Sequence, residues 1–335
     1  MSRLHLNTTA NQHYISQVEQ RLNASNPKAQ PRNQRIYSMS LMDREALAIT
    51  LDSREGRLIS NNLSLRDLFS FDVLPDNTRK NYEEAFHQYE NSMKANTLSL
   101  LRKLDRAPAD IKEEILAIFI AKFMNFLRNP FSIKKALNTV GILTNFVPTD
   151  PHLLAQFNAV LKGSKPHQNY LCRELEITAD EYRMWLASLF MLFLRPAPDQ
   201  PNMIELTIKG LFERPSGFPM VVVHRYTSDE PDKRCLLSDR GFASPLPDEP
   251  HLSFNFNLSS TAFITYLFAS VDDIKLAVTP PQSLLERYKA RGKTVYVHSF
   301  VDDFAALARY NQNVVYQCHR KVYSSSRTVH GVNTV

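Results

Sequence analysis

The segment "LRPAPDQP", residues 194–201, separates two kinds of sequence. Its prolines, Pro196, Pro198 and Pro201, stop a helix arriving from the N-terminal side, because each lacks a backbone donor and clashes with the preceding turn. Before it, apolar residues recur at helical spacing. In "NTRKNYEEAFHQYENSMKANTLSLLRKL" (77–104), Tyr82, Phe86, Tyr89 and Met93 line one face. Further helices are expected at about 109–128, 131–145, 151–163 and 178–194. Beyond the prolines, "PMVVVHRYT", "KRCLLSD", "HLSFNFNL", "TAFITYLFAS" and "TVYVHSF" are β-branched or aromatic and read as strands. "PPQSLLERYKARGK" reads as a short helix. "DDFAALARYNQNVVYQCHRKVY" reads as a helix capped by Asp302 or Asp303. "RIYSMSL" (35–41) alternates and reads as a strand able to join the later sheet.

The expected fold class is therefore α+β, with a helical middle region and a mostly antiparallel C-terminal sheet. The reading favours a single unit over 1–335. A subdivision into a mainly helical 1–195 and a sheet-rich 202–335 is the alternative.

Composition narrows the function classes. Only 8 of 335 residues are glycine, and no Gly-rich phosphate loop, Walker motif or nucleophile elbow occurs. The net charge is +6 and the pI about 9.1, which permits an acidic partner such as nucleic acid without requiring one. The cysteines, Cys172, Cys235 and Cys318, are scattered and lack CxxC spacing, which points away from a disulfide framework or thiolate zinc site. A reduced, cytoplasmic setting is expected. The start of the chain has no apolar signal region, and the most apolar run, residues 115–127, is too short to span a bilayer and carries Lys122 and Asn125. No membrane partner is expected. The cofactor is unknown and no metal ligand set is read: the 10 histidines form no HExxH or HxH, and His152 and His167 have no partner nearby in sequence.

Several polar groups invite a functional reading. Asp239 follows the apolar end of a strand in "LLSDRGF", a rigid place for an acid, base or metal ligand; an Asx-turn, in which it accepts backbone N–H bonds, is the plainer reading. Glu83 and Glu90 are seven apart and fall near one helical face, with Glu84 and His87 within reach of Glu83; a solvated face is the plainer reading. In "RYKARGK", Arg287, Lys289, Arg291 and Lys293 surround Tyr288. Such interleaving can track a phosphate backbone, or simply end a helix with cations.

Near the N-terminus, "TTANQHYISQVEQRLN" (8–23) has two readings: a capping box from Thr9 to Gln12, or an extended "QHYI" followed by a helix. Gln12, His13, Tyr14, Ile15, Gln17 and Arg21 resemble the opening of a widespread bacterial family of unknown function that begins Gln/Lys-His-Tyr-Val/Ile-Pro-Gln. Ser16 stands where that family has proline. The resemblance continues through "NYEEAFHQYEN", "LLSD" without the family's Asp-x-Pro ending, "FNFNLSS", Asn311 and "KVYSSS".

The resemblance implies a helix starting near Ser16, with His13 beside a helix N-terminus that favours an anion. It implies an enzyme with one composite site. His13 is the acid or base, Asp239 and Glu90 its carboxylate partners or metal ligands, Arg21 an anion clamp, Gln12 and Tyr14 substrate-binding groups, and Asn311 a group that orients substrate or His13. A phosphate-containing substrate, nucleic acid or nucleotide, is the expected class, and a toxin or phage-defence effector the role suggested by analogy. The rival reading is a non-catalytic module that binds nucleic acid or a protein through the basic C-terminal surface.

Overall fold

The computed structural model describes residues 6–105, 110–195, 197, 200–245, 252–270, 282–290 and 295–335. The strands are β1 (Leu6–Asn7), β2 (Asn11–His13), β3 (Arg35–Asp43), β4 (Ala48–Leu51), β5 (Arg57–Leu58), β6 (Ser64–Arg66), β7 (Asp72–Val73) and β8 (Arg79–Lys80). They continue with β9 (Gly217–Arg225), β10 (Leu237–Ser238), β11 (Leu252–Ser259), β12 (Ala262–Ser270), β13 (Tyr296–Val301), β14 (Lys321–Ser324) and β15 (Asn333–Thr334). The helices are α1 (Gln17–Arg21), α2 (Glu83–Lys103), α3 (Lys112–Arg128), α4 (Ile133–Val140) and α5 (Pro151–Lys162). They continue with α6 (Gln168–Leu175), α7 (Ala179–Phe193), α8 (Met203–Glu213), α9 (Gln282–Ala290) and α10 (Phe304–Gln317). The fold is α+β, with helices in the middle of the chain and sheet towards its C-terminus.

The chain divides into two compact units whose segments interleave. Unit 1 comprises Met1–Val18, Ser60–Asn96 and Leu116–Leu206; unit 2 comprises Glu19–Ile59, Thr97–Ile115 and Thr207–Val335. The last crossing falls just beyond the proline segment, but residues 19–59 and 97–115 group with the C-terminal part.

Unit 1 holds a small antiparallel sheet, β1-β8-β7, and the pair β2-β6. Its core is aromatic. The Phe69 ring meets Phe86 edge-on at 4.8 Å and Trp185 at 5.7 Å. The polar tips of these large residues are all bonded: Tyr82 Oη donates to the Leu186 carbonyl, Tyr182 Oη to Leu68 and Trp185 Nε1 to Leu127, each at 2.8 Å. Satisfied tips let such rings bury without a desolvation penalty. Thr178 and Glu181 form a capping box that starts α7.

Unit 2 has two sheets. One runs β10-β14-β3-β4-β15, with β5 also on β3; the other runs β11-β12-β9-β13. The second is antiparallel except that β13 lies parallel to β9. Helix α10 buries Leu307, Val314 and Val315 in a core that includes Met39, Ile49 and Phe263. Tyr310 stacks on Phe263 with ring centroids 4.1 Å apart. Asp303 caps α10, accepting from the Ala306 amide at 2.9 Å. Asp302, at φ +56, instead turns its carboxylate to the Thr227 amide and hydroxyl.

Three local expectations need correction. The segment 302–323 is not helical throughout: α10 ends at Gln317, and Lys321–Ser324 pairs with β3 and β10 as a strand. Helices α6 and α8 lie in stretches not read as helix. In α8 the buried Ile204, Ile208 and Phe212 do follow helical spacing, and Asn202 and Glu205 cap it by exchanging side-chain-to-amide bonds. The proline segment that ends α7 is therefore followed by another helix before the sheet begins. Helix α2 starts at Glu83 rather than Asn77, because Arg79–Lys80 is taken up by the small sheet.

The apolar run 115–127 is a core helix: Ile118, Phe119, Met124 and Leu127 of α3 are all buried. Among the described residues no helix is long and apolar enough to cross a membrane.

Candidate functional site

Helix α2 opens unit 1's most unusual polar group. Glu83 sits in its first turn, where the helix dipole favours an ionised carboxylate by about 0.5 kcal/mol. Burial outweighs that. It pushes the Glu83 carboxyl up to about 7, the Arg128 guanidinium pulls the other way, and Glu90 adds to the rise. Its Oε1 is buried and has no hydrogen-bond partner among the described residues. His87 and Glu90 follow on the same helical face, with His87 Nε2 at 3.9 Å from Glu83 Oε2.

Arg128 ends α3, and its side chain is 1% exposed. Its Nη2 lies 2.5 Å from Glu90 Oε1, and its guanidinium covers the Phe86 ring at 4.7 Å. Nη2 is held by the Glu90 ion pair, and Nε has no hydrogen-bond partner among the described residues. A buried guanidinium normally satisfies its fork of donors. Here a carboxyl that exchanges its proton near neutrality lies with a cation holding a donor in reserve. Such a pairing can move a proton and hold an oxyanion. Neither Arg128 nor Lys122, also buried, stands out in sequence; the one available sign is charged residues within an otherwise apolar helix.

The expected site residues divide between the units. In unit 1, "QHYI" is extended up to His13, as the second N-terminal reading has it. Gln12 is fully buried; its Nε2 donates to Ser70 Oγ at 2.9 Å and the Thr9 carbonyl at 3.2 Å, and its Oε1 accepts from the Phe69 amide at 2.5 Å. His13 is half-buried opposite Ser64 in the β2-β6 pair. Tyr14 packs edge-on against Phe131 at 5.5 Å. Glu90 holds Arg128.

Arg21, Asp239 and Asn311 belong to unit 2. Arg21 ends α1, a helix of five residues, whose dipole is weak. Asp239 forms neither an Asx-turn in its own loop nor an exposed carboxylate. Buried, it accepts from three backbone amides, those of His319, Arg320 and Lys321, at 2.8–2.9 Å. Ser238 Oγ makes the local turn by accepting from Arg240. Asn311 is fully buried; it donates to the Arg234 and His330 carbonyls and accepts from the Leu236 amide. Both side chains staple backbone segments. Of the basic stretch, Arg287 is exposed on α9 and Lys289 is described as helical backbone only; Arg291 and Lys293 lie outside the described residues.

Among the described residues no group of His, Cys, Asp or Glu has the geometry of a metal site. One histidine set aside for want of a neighbour has one in space: His167 Nδ1 lies 2.9 Å from the buried Asp67. No family model, no curated protein and no solved structure matches the chain.

Proposed function

We propose that the protein is an acid–base enzyme acting on a phosphate-containing substrate of the nucleotide or nucleic-acid class, with the α2 face of unit 1 at its centre. One observation carries the reading: Glu83 keeps a buried carboxyl oxygen with no hydrogen-bond partner among the described residues, on the helical face where Glu90 engages the buried Arg128. Glu83 is the proton acceptor or donor, since a group titrating near 7 exchanges protons at working pH. Arg128 binds the oxyanion, and Glu90 orients Arg128. His13, in the same unit, is the second candidate proton carrier. The mildly basic charge of the chain supports an anionic substrate.

The test is a hydrolysis screen of single-stranded and duplex nucleic acids, nucleotides and simple phosphate esters. It compares the natural chain with Glu83→Gln, Arg128→Lys and His13→Ala. Turnover lost in Glu83→Gln without any fall in melting temperature supports the reading. Turnover that survives Glu83→Gln and Arg128→Lys overturns it. If instead the chain turns over nothing but retains oligonucleotides, and Arg287→Ala releases them, the non-catalytic module takes its place.

A further inference from the structure

A second polar cluster of unit 1 is unconnected with the α2 face in the reading above. Its centre is Asp67, 3% exposed and held at φ +54, a left-handed conformation that non-glycine residues seldom adopt. The strain is held by bonds on every side. Its amide donates to the Ala10 carbonyl at 2.8 Å, and its own carbonyl accepts from Tyr182 Oη at 3.3 Å. Oδ1 accepts from Arg79 Nε at 2.5 Å and from Ser70 Oγ at 3.1 Å; Ser70 is in turn bonded by Gln12. Arg79 is itself buried, so it neutralises Asp67 inside the protein.

Oδ2 faces outward. His167 Nδ1 lies 2.9 Å from it and Arg66 Nε 3.9 Å, with those side chains 34% and 64% exposed. The loop carrying His167 is pinned to β7. A Cβ on Gly163 would lie 2.3 Å from the Phe71 carbonyl oxygen, the Val73 amide donates to the Ser164 carbonyl, and the Ser164 amide donates to Asp72. Lys165 is held on the same loop by a 3.0 Å bond to the Gly163 carbonyl.

The charges do not balance. Asp67 is matched by Arg79, Asp72 by Lys80, and Arg183 by Asp180. Arg66 shares the Asp67 carboxylate at 3.9 Å, and Lys165 has no ion pair among the described residues. Burial brings the Lys165 amine down to about 8 and Arg183 adds to this, with Asp72 opposing. An arriving anion would relieve that repulsion.

We infer that His167, Arg66 and Lys165 form an oxyanion site for a phosphate-type group, with Asp67 as the positioning residue that turns the His167 ring. Asp67 Oδ2, 2.9 Å from Nδ1, holds that edge of the ring and leaves the other edge to the ligand. The ligand is a free phosphate or the phosphate of a nucleotide chain. Both present the same oxygens.

The experiment uses the full chain with ring-15N histidine, titrated with inorganic phosphate against sodium chloride of matched ionic strength. The site requires His167 ring signals that move saturably with phosphate alone, with half-saturation at or below about 1 mM. Arg66→Ala and Lys165→Ala should each weaken this about fivefold or more. Asp67→Asn should move the phosphate-free His167 ring signals while those of His330 stay in place. Should Asp67→Asn fail to fold because Arg79 loses its counter-charge, Arg66→Ala, at an exposed position, carries the test. A short single-stranded oligonucleotide that competes more tightly than phosphate assigns the ligand to a nucleotide chain; equal affinity per phosphate assigns it to free phosphate. No saturable movement, or movement that both alanine variants leave unchanged, overturns the site.

Discussion

The Nη2 of Arg128 lies 2.5 Å from Glu90 Oε1, and both side chains are almost closed to solvent. Removing one member of a buried pair strands the other, at a cost of about 3–5 kcal/mol. Arg128→Met should therefore lower stability by about that amount in chemical denaturation, while Arg128→Met with Glu90→Leu should recover much of it. If the single and double variants are equally unstable, the pair is not coupled.

Glu83 makes stability depend on pH in a defined direction. Its carboxyl is raised from 4.5 to about 7, so the folded chain holds a proton that the unfolded chain has released between those values. Stability is full below about 4.5 and falls as pH rises to about 7, by about 3 kcal/mol at most. Glu83→Gln removes the buried charge. At pH 8 it should melt higher than the natural chain, and at pH 4 the two should melt together. A variant that melts lower at pH 8 would show that Glu83 is ionised and paired there.

The same carboxyl should respond to Arg128. The guanidinium favours the ionised form, so Arg128→Met should move the Glu83 titration, followed by carboxyl 13C signals, further upward. A downward movement would mean that Arg128 does not face Glu83 in solution.

Asp239 and Asn311 should behave as structural staples in unit 2. Asp239→Ala leaves three backbone amides without their acceptor, and about 3 kcal/mol or more of stability should be lost. Asn311→Asp sets a carboxylate against the Arg234 and His330 carbonyls and should cost about as much. Denaturant midpoints check both. Variants that fold with unchanged midpoints but lose a measured activity would return these residues to the chemistry.

Gly163 has no room for a methyl group, since a Cβ would lie 2.3 Å from the Phe71 carbonyl oxygen and 2.5 Å from that of Ala159. Gly163→Ala should cost about 1–3 kcal/mol, read as a lower melting temperature.

Much of the secondary structure was readable in the residues themselves. Of the stripe, Phe86 and Met93 do become the buried face of α2, with Tyr82 buried just ahead of it and Tyr89 partly buried, and the β-branched run in "MVVVHR" does become a strand with Val221 and Val223 inside. These follow from local periodicity, which each residue expresses wherever the element is placed. The strand at 321–324 was hidden, because its pairing partner β3 lies far away in sequence and the preceding helical pattern runs into it. Asp239 showed only as a carboxylate after a strand. Nothing local states that its acceptors would be spent on residues 319–321.

By itself, the sequence determined the α+β class, the helical middle, the cap of α10 to within one residue and the mild positive charge, since propensity, periodicity and composition act over a few residues. Tertiary structure alone decided which polar groups meet. The Glu83 carboxyl is raised only because packing strips water from it near Arg128 and Glu90. His167 acquires a carboxylate only because the loop at Gly163 is drawn against β7. Desolvation and charge pairing depend on distance in space, and a chain read residue by residue does not carry that distance.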